Sequence, residues 1–181
     1  GDIVVDSTGD GDIACFAGAG YRHGNDRNGM TQNYSRWNLA GGGKSPTPIT
    51  SDYDIIDNTK ISELQRGLFL SHYEAHFYDF HPYLTVRESR RIIGDYELNL
   101  IDAVEKTHFD DLVAVASSDY DPHFVGYGEY SRCGFLLPHS NIVKVEIPFR
   151  SLLPKGLEGV MVVGKAFSQT HNVLQFTRMS A

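Results

Sequence analysis

Apolar runs and alternating apolar positions along the 181-residue chain predict a series of short strands. Two runs of consecutive apolar residues, 3–5 and 160–163, predict buried strands, and each is followed by a turn that contains glycine. Residues 142–149 alternate between apolar and polar side chains, which is typical of a strand with one buried face. Extended backbone is also predicted for 83–93 and 112–116.

Spacings of three and four residues between apolar side chains predict the helices. The longest helix carries this pattern at Ile61, Leu64, Leu68, His72 and Ala75. It can be capped by residues 57–59, and it should end by His81, because the residue before a proline is pushed out of the helical region. Shorter helices are predicted over 13–19, 100–105 and 170–179.

The segments between these elements indicate how the chain is organised. Residues 21–38 are polar without a regular period, and we interpret them as irregular structure. Residues 40–48 combine glycine with proline and predict a linker. Strands followed by helices at both ends of the chain predict an α/β fold. A chain of this length with 41 % hydrophobic residues can bury one core and carry a second small lobe.

Charge and cysteine content exclude several classes of function. The formal net charge is −7 and the isoelectric point is about 5.5, so the chain lacks the basic surface that a nucleic acid or an anionic membrane would require. No apolar run approaches the ~20 residues that span a bilayer. The two cysteines, Cys15 and Cys133, have neither the pattern of a disulfide framework nor the spacing of a metal site.

The turn after the first strand is a candidate for cofactor contact through Thr8, Gly9, Asp10 and Gly11. A strand, a glycine-rich turn and a helix of small residues let backbone N–H groups approach a phosphate or a sugar. Glycine has no Cβ, and the start of a helix carries partial positive charge. The same residues would also suit a tight turn in any α/β fold. Both interpretations stay open on the residues alone.

A second candidate segment follows the apolar run 160–163. A strand that ends in glycine just before a helix brings the helix N-terminus, here around His171, to a position where it can face an anion. The residues concerned are Gly164, Lys165, Ala166 and Ser168. On the residues alone, this segment is a candidate for anion binding.

Three arginines close together are candidates for binding a substrate. On a strand, Arg87 and Arg91 would share one face and Arg90 would lie on the other. A guanidinium in a substrate cavity could clamp a carboxylate in bidentate fashion. A solvated charged face, with Glu88 pairing nearby, is the alternative.

Histidines are candidates for proton transfer. His171 lies seven residues before Arg178, about two turns of the predicted helix, so both could lie on its cavity-facing side. His123, on a predicted loop, could act as an acid or a base near neutral pH. His72 and His76 have the spacing of a metal pair, but their surroundings do not match H-E-x-x-H and no clear third ligand follows. We predict a helix face there and no metal site.

Five segments in this order resemble the FAD-dependent oxidoreductase family, which is related to the glutathione reductase and fumarate reductase flavoproteins. The segments are VDSTGDGDIA at 5–14 with AGA at 17–19, RESRRIIGDY at 87–96, SSDYDPH at 117–123, IPFRSLLPKG at 147–156, and VVGKAFSQTH at 162–171 with TRM at 177–179. Each piece alone is a weak signal. Their combination and order are specific, and together they span the chain.

The resemblance implies an α/β fold made of part of an FAD/NAD(P)-binding domain of the glutathione reductase type and an inserted α+β substrate or cap lobe. Residues 1–30 and 142–181 would belong to the FAD-binding domain, and residues 31–141 to the lobe. Family members also carry a G-x-G-x-x-G turn that holds the FAD pyrophosphate, and this sequence has no such motif. We therefore expect an internal fragment of a longer flavoprotein that cannot hold FAD tightly by itself.

The implied function is an FAD-dependent oxidoreductase that moves a hydride or an electron pair between the flavin and a small organic substrate. The candidates for FAD contact are Thr8, Gly9, Asp10, Gly11, Gly164, Lys165, Ala166 and Ser168. The catalytic candidates are His171, Arg91 and His123. The candidates for substrate contact are Arg87, Arg91 and Arg178.

Two other classes of function stay open. One is a cofactor-free binding or structural module with the same fold, and the other is a metal-dependent hydrolase that uses His72 and His76. The expected partners are a small-molecule substrate and the remainder of the same polypeptide, and an oligomer is compatible with the sequence. Neither a nucleic acid nor a membrane span is expected. The cytoplasm is slightly favoured as the compartment, and export of a folded flavoprotein is also compatible with the sequence.

Overall fold

The computed structural model of the chain describes residues 2–26, 29, 31–32, 34–40, 47–53, 60–74, 83–119 and 142–178, and of these it describes the backbone alone for 34–40, 47–53, 70–74 and 83–85. The strands are β1 (Val4–Asp6), β2 (Tyr21–His23), β3 (Tyr34–Ala40), β4 (Thr47–Tyr53), β5 (Tyr83–Thr85), β6 (Arg90–Ile92), β7 (Leu112–Asp119), β8 (Ile142–Pro148) and β9 (Val160–Val162). The α-helices are α1 (Asp12–Phe16), α2 (Ile61–Glu74), α3 (Leu100–Glu105) and α4 (Leu174–Thr177). Short 3₁₀-helices cover Phe149–Ser151 and Gly164–Ala166.

The chain divides into two compact units. The first consists of Gly1–Thr31 together with Glu88–Ala181, and the second is Gln32–Arg87. Residues 88–119, which the sequence analysis assigned to the lobe, belong to the same compact unit as the segments assigned to the FAD-binding domain. The assignment of FAD binding and substrate binding to separate parts of the chain stays a prediction.

Parallel pairing of β1 with β9 organises the first unit. Val4 lies opposite Val160, and Asp6 lies opposite Val162. The other pairs of this unit, β2 with β6 and β7 with β8, are antiparallel. Because β1 and β9 run in the same direction, their carboxyl ends lie at the same edge of the sheet. The segments that follow these two strands in the sequence therefore meet.

Two clusters of apolar side chains form the core of the first unit. The larger one packs α3 and α4 against β7 and β8, and its members include Leu98, Phe109, Val145, Phe167 and Phe176. These side chains are at most 4 % exposed, and burial of each stabilises the fold by about 1.5–3 kcal/mol. The smaller cluster joins α1, β6 and β9 through Ala14, Ile92, Val162 and Ala166.

The helix predicted over 100–105 is confirmed, and its first residues explain where it begins. Asn99 Oδ1 accepts a hydrogen bond from the Ile101 N–H at 2.9 Å, and Asp102 Oδ2 accepts one from the Asn99 N–H at 2.9 Å. Together these bonds form a capping box. The Tyr96 hydroxyl donates to Asp102 Oδ1 at 2.8 Å, and burial together with this carboxylate raises the pKa of Tyr96 to about 12.

The second unit contains a three-stranded antiparallel sheet in the order β4–β3–β5. Tyr34 lies opposite Tyr53, and Ala40 lies opposite Thr47. The predictions of irregular structure over 21–38 and of a linker over 40–48 are therefore wrong where these strands form. Glycine and proline suit a turn as well as a linker, so composition does not separate the two interpretations, and residues 41–46 themselves lie outside the described residues.

The long predicted helix is confirmed as α2, with one difference. The structure describes it over Ile61–Glu74, and the predicted capping residues 57–59 and the segment 75–82, where its end is predicted, lie outside the described residues. Ile61 is 75 % exposed and Leu68 is 39 % exposed, so these two positions do not form the buried stripe that their spacing predicts. A helical period indicates which side of a helix is apolar, and tertiary contacts decide whether that side is covered.

Two predictions for the first unit need correction. β1 forms as predicted, but Val4 is 41 % exposed and Val5 is 48 % exposed, because in the described residues β1 belongs to a sheet of two strands. The helix predicted over 170–179 is reduced to the single turn α4. The backbone where this helix was predicted to begin pairs with Leu98 instead. The Leu98 N–H donates to Ser168 O at 3.1 Å, and the Thr170 N–H donates to Leu98 O at 2.8 Å.

We predict that Gly94→Ala lowers the free energy of unfolding by about 1–3 kcal/mol, as overpacking does in a close-packed core. A Cβ on Gly94 would lie 2.7 Å from Ser168 Cβ and 3.0 Å from the backbone oxygen of Leu153. Urea denaturation of the purified variant measures the effect.

Gly20→Ala is the matched control for this prediction. A Cβ at that position would lie 3.4 Å from Ile93 Cδ1, at the edge of ordinary van der Waals contact. Equal stability of the two variants would show that the packing around Gly94 is looser than the structure has it.

Candidate functional site

The two segments predicted to contact a cofactor meet at the edge formed by β1 and β9. Lys165 Nζ donates to Gly9 O at 2.7 Å and to Asp10 Oδ1 at 2.6 Å. A Cβ on Gly11 would lie 3.4 Å from Ala166 Cβ and 2.9 Å from the Ile92 side chain. The structure thus brings the turn 8–11 and the 3₁₀-helix 164–166 into direct contact.

A buried carboxylate shapes the turn after β1. Asp6 is 0 % exposed, and it accepts hydrogen bonds from the Thr8 N–H at 3.0 Å, the Thr8 hydroxyl at 2.7 Å and the Ala14 N–H at 2.9 Å. Burial would raise the pKa of this carboxyl, but these donors outweigh it and hold the pKa below its usual value of 3.8. The Thr8 hydroxyl in turn accepts from the Asp12 N–H at 3.0 Å. Asp6 and Thr8 therefore orient the start of α1.

The charges on this turn are paired with one another. Lys165 contacts the Asp10 carboxylate, while Arg90 forms an ion pair with Asp12 and donates through Nε to Asp10 O at 3.0 Å. Burial would raise the pKa of Asp10, but hydrogen bonds from Lys165 and Ser89 and the nearby cations lower it. The positive charges of Lys165 and Arg90 thus neutralise the carboxylates of Asp10 and Asp12. The sequence predicts Arg90 on the opposite strand face from Arg87 and Arg91 and gives no sign of its contacts with this turn.

Glycine is required in these segments by backbone conformation. Gly9, Gly11 and Gly164 have φ values of +80°, +65° and +77°, which lie in the left-handed region. Around Gly164 no described atom lies within 4 Å of the position of an added Cβ. The side of Gly164 that lacks a Cβ therefore faces open space in the described part of the chain, as close approach of a cofactor would require.

Several polar atoms between residues 168 and 175 are buried without a hydrogen-bond partner among the described residues. They are Ser168 Oγ, Thr170 Oγ1, Asn172 Oδ1 and Gln175 Nε2. The neighbouring Gln169 differs, since its amide donates to Lys165 O at 3.0 Å and accepts from the Thr177 hydroxyl. Buried polar groups are paired in most native structures, so these four atoms call for partners beyond the described residues.

A buried ion cluster lies beside this segment. Glu88 contacts the Arg91 guanidinium through Oε1, and its Oε2 lies 2.8 Å from His171 Nδ1. Arg91 Nη2 also donates to Gly24 O at 2.7 Å. Burial lowers the pKa of Arg91 and the Glu88 carboxylate opposes that effect. Glu88, which sequence analysis considered only as a pairing partner, is at the centre of the cluster.

The remaining predicted site residues lie in different environments. Arg178 Nη1 donates to Gln175 Oε1 at 3.0 Å, at the end of α4. Arg87 is half-buried and belongs to the second unit. Because β6 begins at Arg90, Arg87 is not on that strand, and the prediction that it shares a strand face with Arg91 does not apply. His123 lies outside the described residues.

The structure does not test the histidine pair on α2. The side chain of His72 and all of His76 lie outside what is described. Within residues 2–26, 29, 31–32, 34–40, 47–53, 60–74, 83–119 and 142–178, no group of three or more histidine, cysteine, aspartate or glutamate side chains could hold a metal ion.

The predicted helix start around His171 is wrong. α4 begins at Leu174 and is one turn long, so the partial charge of a helix N-terminus does not act at His171. Residues 168–170 pair with Leu98 through their backbone, and the chain turns towards α4 only after Thr170, whose backbone oxygen accepts from the N–H groups of Val173 and Leu174. His171 instead points into the ion cluster with Glu88.

Comparison with known proteins identifies the family. A family model described as FAD dependent oxidoreductase matches residues 49–181. The chain belongs to the FAD-dependent oxidoreductase family. Neither the curated proteins nor the solved structures include a match to the chain. Among the helices of the described residues, none is both long enough and apolar enough to cross a membrane.

The described residues of this FAD-dependent oxidoreductase family member fit part of an FAD molecule. The pyrimidine edge of a flavin carries an N–H donor and carbonyl and ring-nitrogen acceptors, and proteins tune flavins by hydrogen bonds to such atoms. Hydroxyl, amide-oxygen and amide-nitrogen atoms that lack partners between 168 and 175 provide both kinds of group. The turn 8–11 fits a phosphate less well, because the two cations beside it are already in ion pairs. Lys165 pairs with Asp10, and Arg90 pairs with Asp12.

We predict that Asp6→Asn lowers the free energy of unfolding by about 1–3 kcal/mol, because an amide nitrogen would replace one of the acceptors that now receive backbone and hydroxyl donors. The variant should also be less sensitive to acid. The folded-state pKa of Asp6 lies below 3.8, so its stabilisation is present above the unfolded-state pKa and is lost as the pH falls through the folded-state pKa.

Urea denaturation at neutral pH and near pH 3, about one unit below the usual carboxyl pKa, measures both effects. Asp2→Asn, at an exposed position, is the control for the loss of one negative charge. Asp10 also has a lowered pKa and contributes acid sensitivity in every variant. An Asp6→Asn protein that loses stability with acid as steeply as the Asp2→Asn protein would contradict the assignment.

Proposed function

We propose that the protein is an FAD-dependent oxidoreductase that transfers a hydride or an electron pair between the flavin and a small organic substrate. Family membership supports a role in flavin-dependent oxidation and reduction. The structural observation that carries the proposal is the group of buried polar atoms between 168 and 175 that lack partners among the described residues. Their chemistry complements the pyrimidine edge of a flavin.

Ser168, Thr170, Asn172 and Gln175 are the residues that we propose to hold the flavin ring, with the open side of Gly164 allowing close approach. The bound FAD supplies two-electron chemistry. The task of these side chains is to orient the ring and to complete the hydrogen bonds that burial leaves open. The proposed role of Thr8, Gly9, Asp10 and Gly11 is to form the floor of the site, braced by Lys165.

Arg87, Arg91 and Arg178 are the arginines that the sequence suggests for substrate binding, and the structure favours them to different degrees. Arg178 is partly exposed at the end of α4 and adjoins Gln175, so it is the first candidate to bind a substrate carboxylate. Substrate contact by Arg87 also stays a proposal. Arg91 is 2 % exposed and its guanidinium contacts Glu88, which favours a role inside the protein. His171 is 5 % exposed and His123 is undescribed, so proton transfer by either stays a proposal.

The other functions considered from the sequence have less support. Membership of an FAD-dependent family does not favour a cofactor-free module or a metal-dependent hydrolase. Binding of a small-molecule substrate, contact with further parts of the same polypeptide and formation of an oligomer are carried forward as proposals.

We predict that Ser168→Ala weakens FAD binding by about 2- to 10-fold, the equivalent of one hydrogen bond of about 0.5–1.5 kcal/mol. The free energy of unfolding of the apoprotein should stay equal or rise, because the variant removes a buried hydroxyl that has no partner among the described residues. FAD titrated into the full-length apoprotein, followed by flavin fluorescence, measures affinity, and urea denaturation measures stability.

Ser151→Ala is the matched control for Ser168→Ala. Ser151 is also buried, but its hydroxyl donates to Pro148 O at 2.7 Å. This variant should lose stability and keep its FAD affinity. Wild-type FAD affinity in Ser168→Ala, or an equal loss of affinity in both variants, would count against the proposed flavin site.

We also predict that Arg178→Lys lowers kcat/KM about 10- to 100-fold while FAD stays bound, because lysine keeps the charge but cannot reproduce a bidentate contact with a carboxylate. Flavin reduction in a stopped-flow instrument, with candidate carboxylate substrates, measures this effect. Arg150→Lys is the control, since Arg150 forms its ion pair with Asp111 at 2.7 Å. Equal rates in both variants would remove Arg178 from the substrate site.

A further inference from the structure

Glu88 is a fully buried carboxylate that joins two elements of the first unit. Its side chain is 0 % exposed, and the side chains of its partners Arg91 and His171 are 2 % and 6 % exposed. Arg91 belongs to β6, whereas His171 lies inside the segment 168–175. The Arg91 guanidinium also reaches Gly24 O, just beyond β2, the strand that pairs with β6. The cluster therefore ties the segment to the β2–β6 pair.

The charges of Glu88, Arg91 and His171 indicate what each residue contributes to the cluster. A carboxylate without a counter-charge would be very costly to bury, and Arg91 provides that counter-charge to Glu88. His171 Nδ1 lies 2.8 Å from the second carboxylate oxygen. A lone pair on Nδ1 would repel a negative oxygen at that distance, so we expect Nδ1 to be the ring nitrogen that carries the proton. The Glu88 carboxylate thus faces Nδ1 of the imidazole.

His171 lies between two of the residues whose polar atoms have no partner among the described residues, Thr170 and Asn172. When the imidazole is held in the cluster, the backbone of these neighbours is held with it. We propose that Glu88 is a positioning residue: through its contact with His171 Nδ1 it fixes the segment 168–175 for flavin binding, with Arg91 as its counter-charge. This inference rests on the proposed function.

The double variant Glu88→Met/Arg91→Met tests the proposal in the full-length protein. It removes both charges together, and replacement of a buried ion pair by apolar side chains of similar volume is often neutral or stabilising, so the variant is expected to fold. FAD affinity should fall tenfold or more, measured by titration of the apoprotein. The ¹⁵N resonance of His171 Nδ1, which we expect at the position of a protonated nitrogen in the wild type, should move towards that of an unprotonated one.

Asp102→Asn is the control for a general loss of stability. Asp102 is buried and accepts hydrogen bonds from Tyr96 and Asn99 at the start of α3. This variant should be destabilised, yet it should bind FAD within about twofold of the wild type, the scatter expected for a site without shared partners. The His171 resonances should not change.

Two results would overturn the role of Glu88. One is a wild-type His171 with an unprotonated Nδ1, which needs no variant and so does not depend on folding of the double variant. The other is wild-type FAD affinity in a folded double variant. A wild-type full-length protein that binds no FAD would instead overturn the proposed function itself, and the flavin part of this inference with it.

Discussion

The parallel pairing of β1 with β9 is the constraint on which the candidate site depends. It places the turn after Asp6 and the segment after Val162 at one edge of a sheet, although Gly9 and Lys165 are 156 residues apart in the chain. Once the strands are paired, Lys165 Nζ reaches both Gly9 O and the Asp10 carboxylate. Small side chains at Gly11 and Ala166 allow the two segments to pack closely.

Two buried carboxylates stabilise the surroundings of the site in different ways. Asp6 receives backbone and hydroxyl donors from its own turn, so it fixes local geometry without a cation. Glu88 has cationic or ionisable partners on two elements, so it connects regions that are distant in the sequence. Removal of one partner of a buried ion pair typically costs about 3–5 kcal/mol, so the Glu88–Arg91 pair is a strong constraint on the position of the Glu88 carboxylate that faces His171.

This distribution of charge bears on how FAD would be held. At the turn 8–11, cations and carboxylates are already matched, and the described residues offer a phosphate little uncompensated positive charge. Between 168 and 175, neutral polar atoms are buried without partners among the described residues. Neutral donors and acceptors suit the ring of a flavin better than its pyrophosphate. This difference is the reason for our proposal that this portion of the chain contacts the flavin ring of FAD.

Local sequence was sufficient to predict a helix or strand whose formation depends mainly on its own residues. Asn99 and Asp102 mark the start of α3 because the capping box needs only neighbouring residues, and the alternation over 142–149 matches β8 because one face of that strand is buried. The ordered motifs were sufficient to identify the family. The sequence also points to the turn 8–11 and to Gly164, Lys165, Ala166 and Ser168 as cofactor contacts, which stays a prediction, and it gives no sign of the hydrogen bonds that join the two segments.

Tertiary structure decided everything that depends on distant partners. Thr170 pairs with Leu98 although the sequence predicts a helix from that residue onwards, and Ala40 pairs with Thr47 where composition predicts a linker. The central place of Glu88 depends on Arg91 and on His171, which is 83 residues away along the chain. Periodicity and composition indicate the secondary structure that a segment prefers by itself. Burial and charge pairing depend on the residues that folding brings next to that segment.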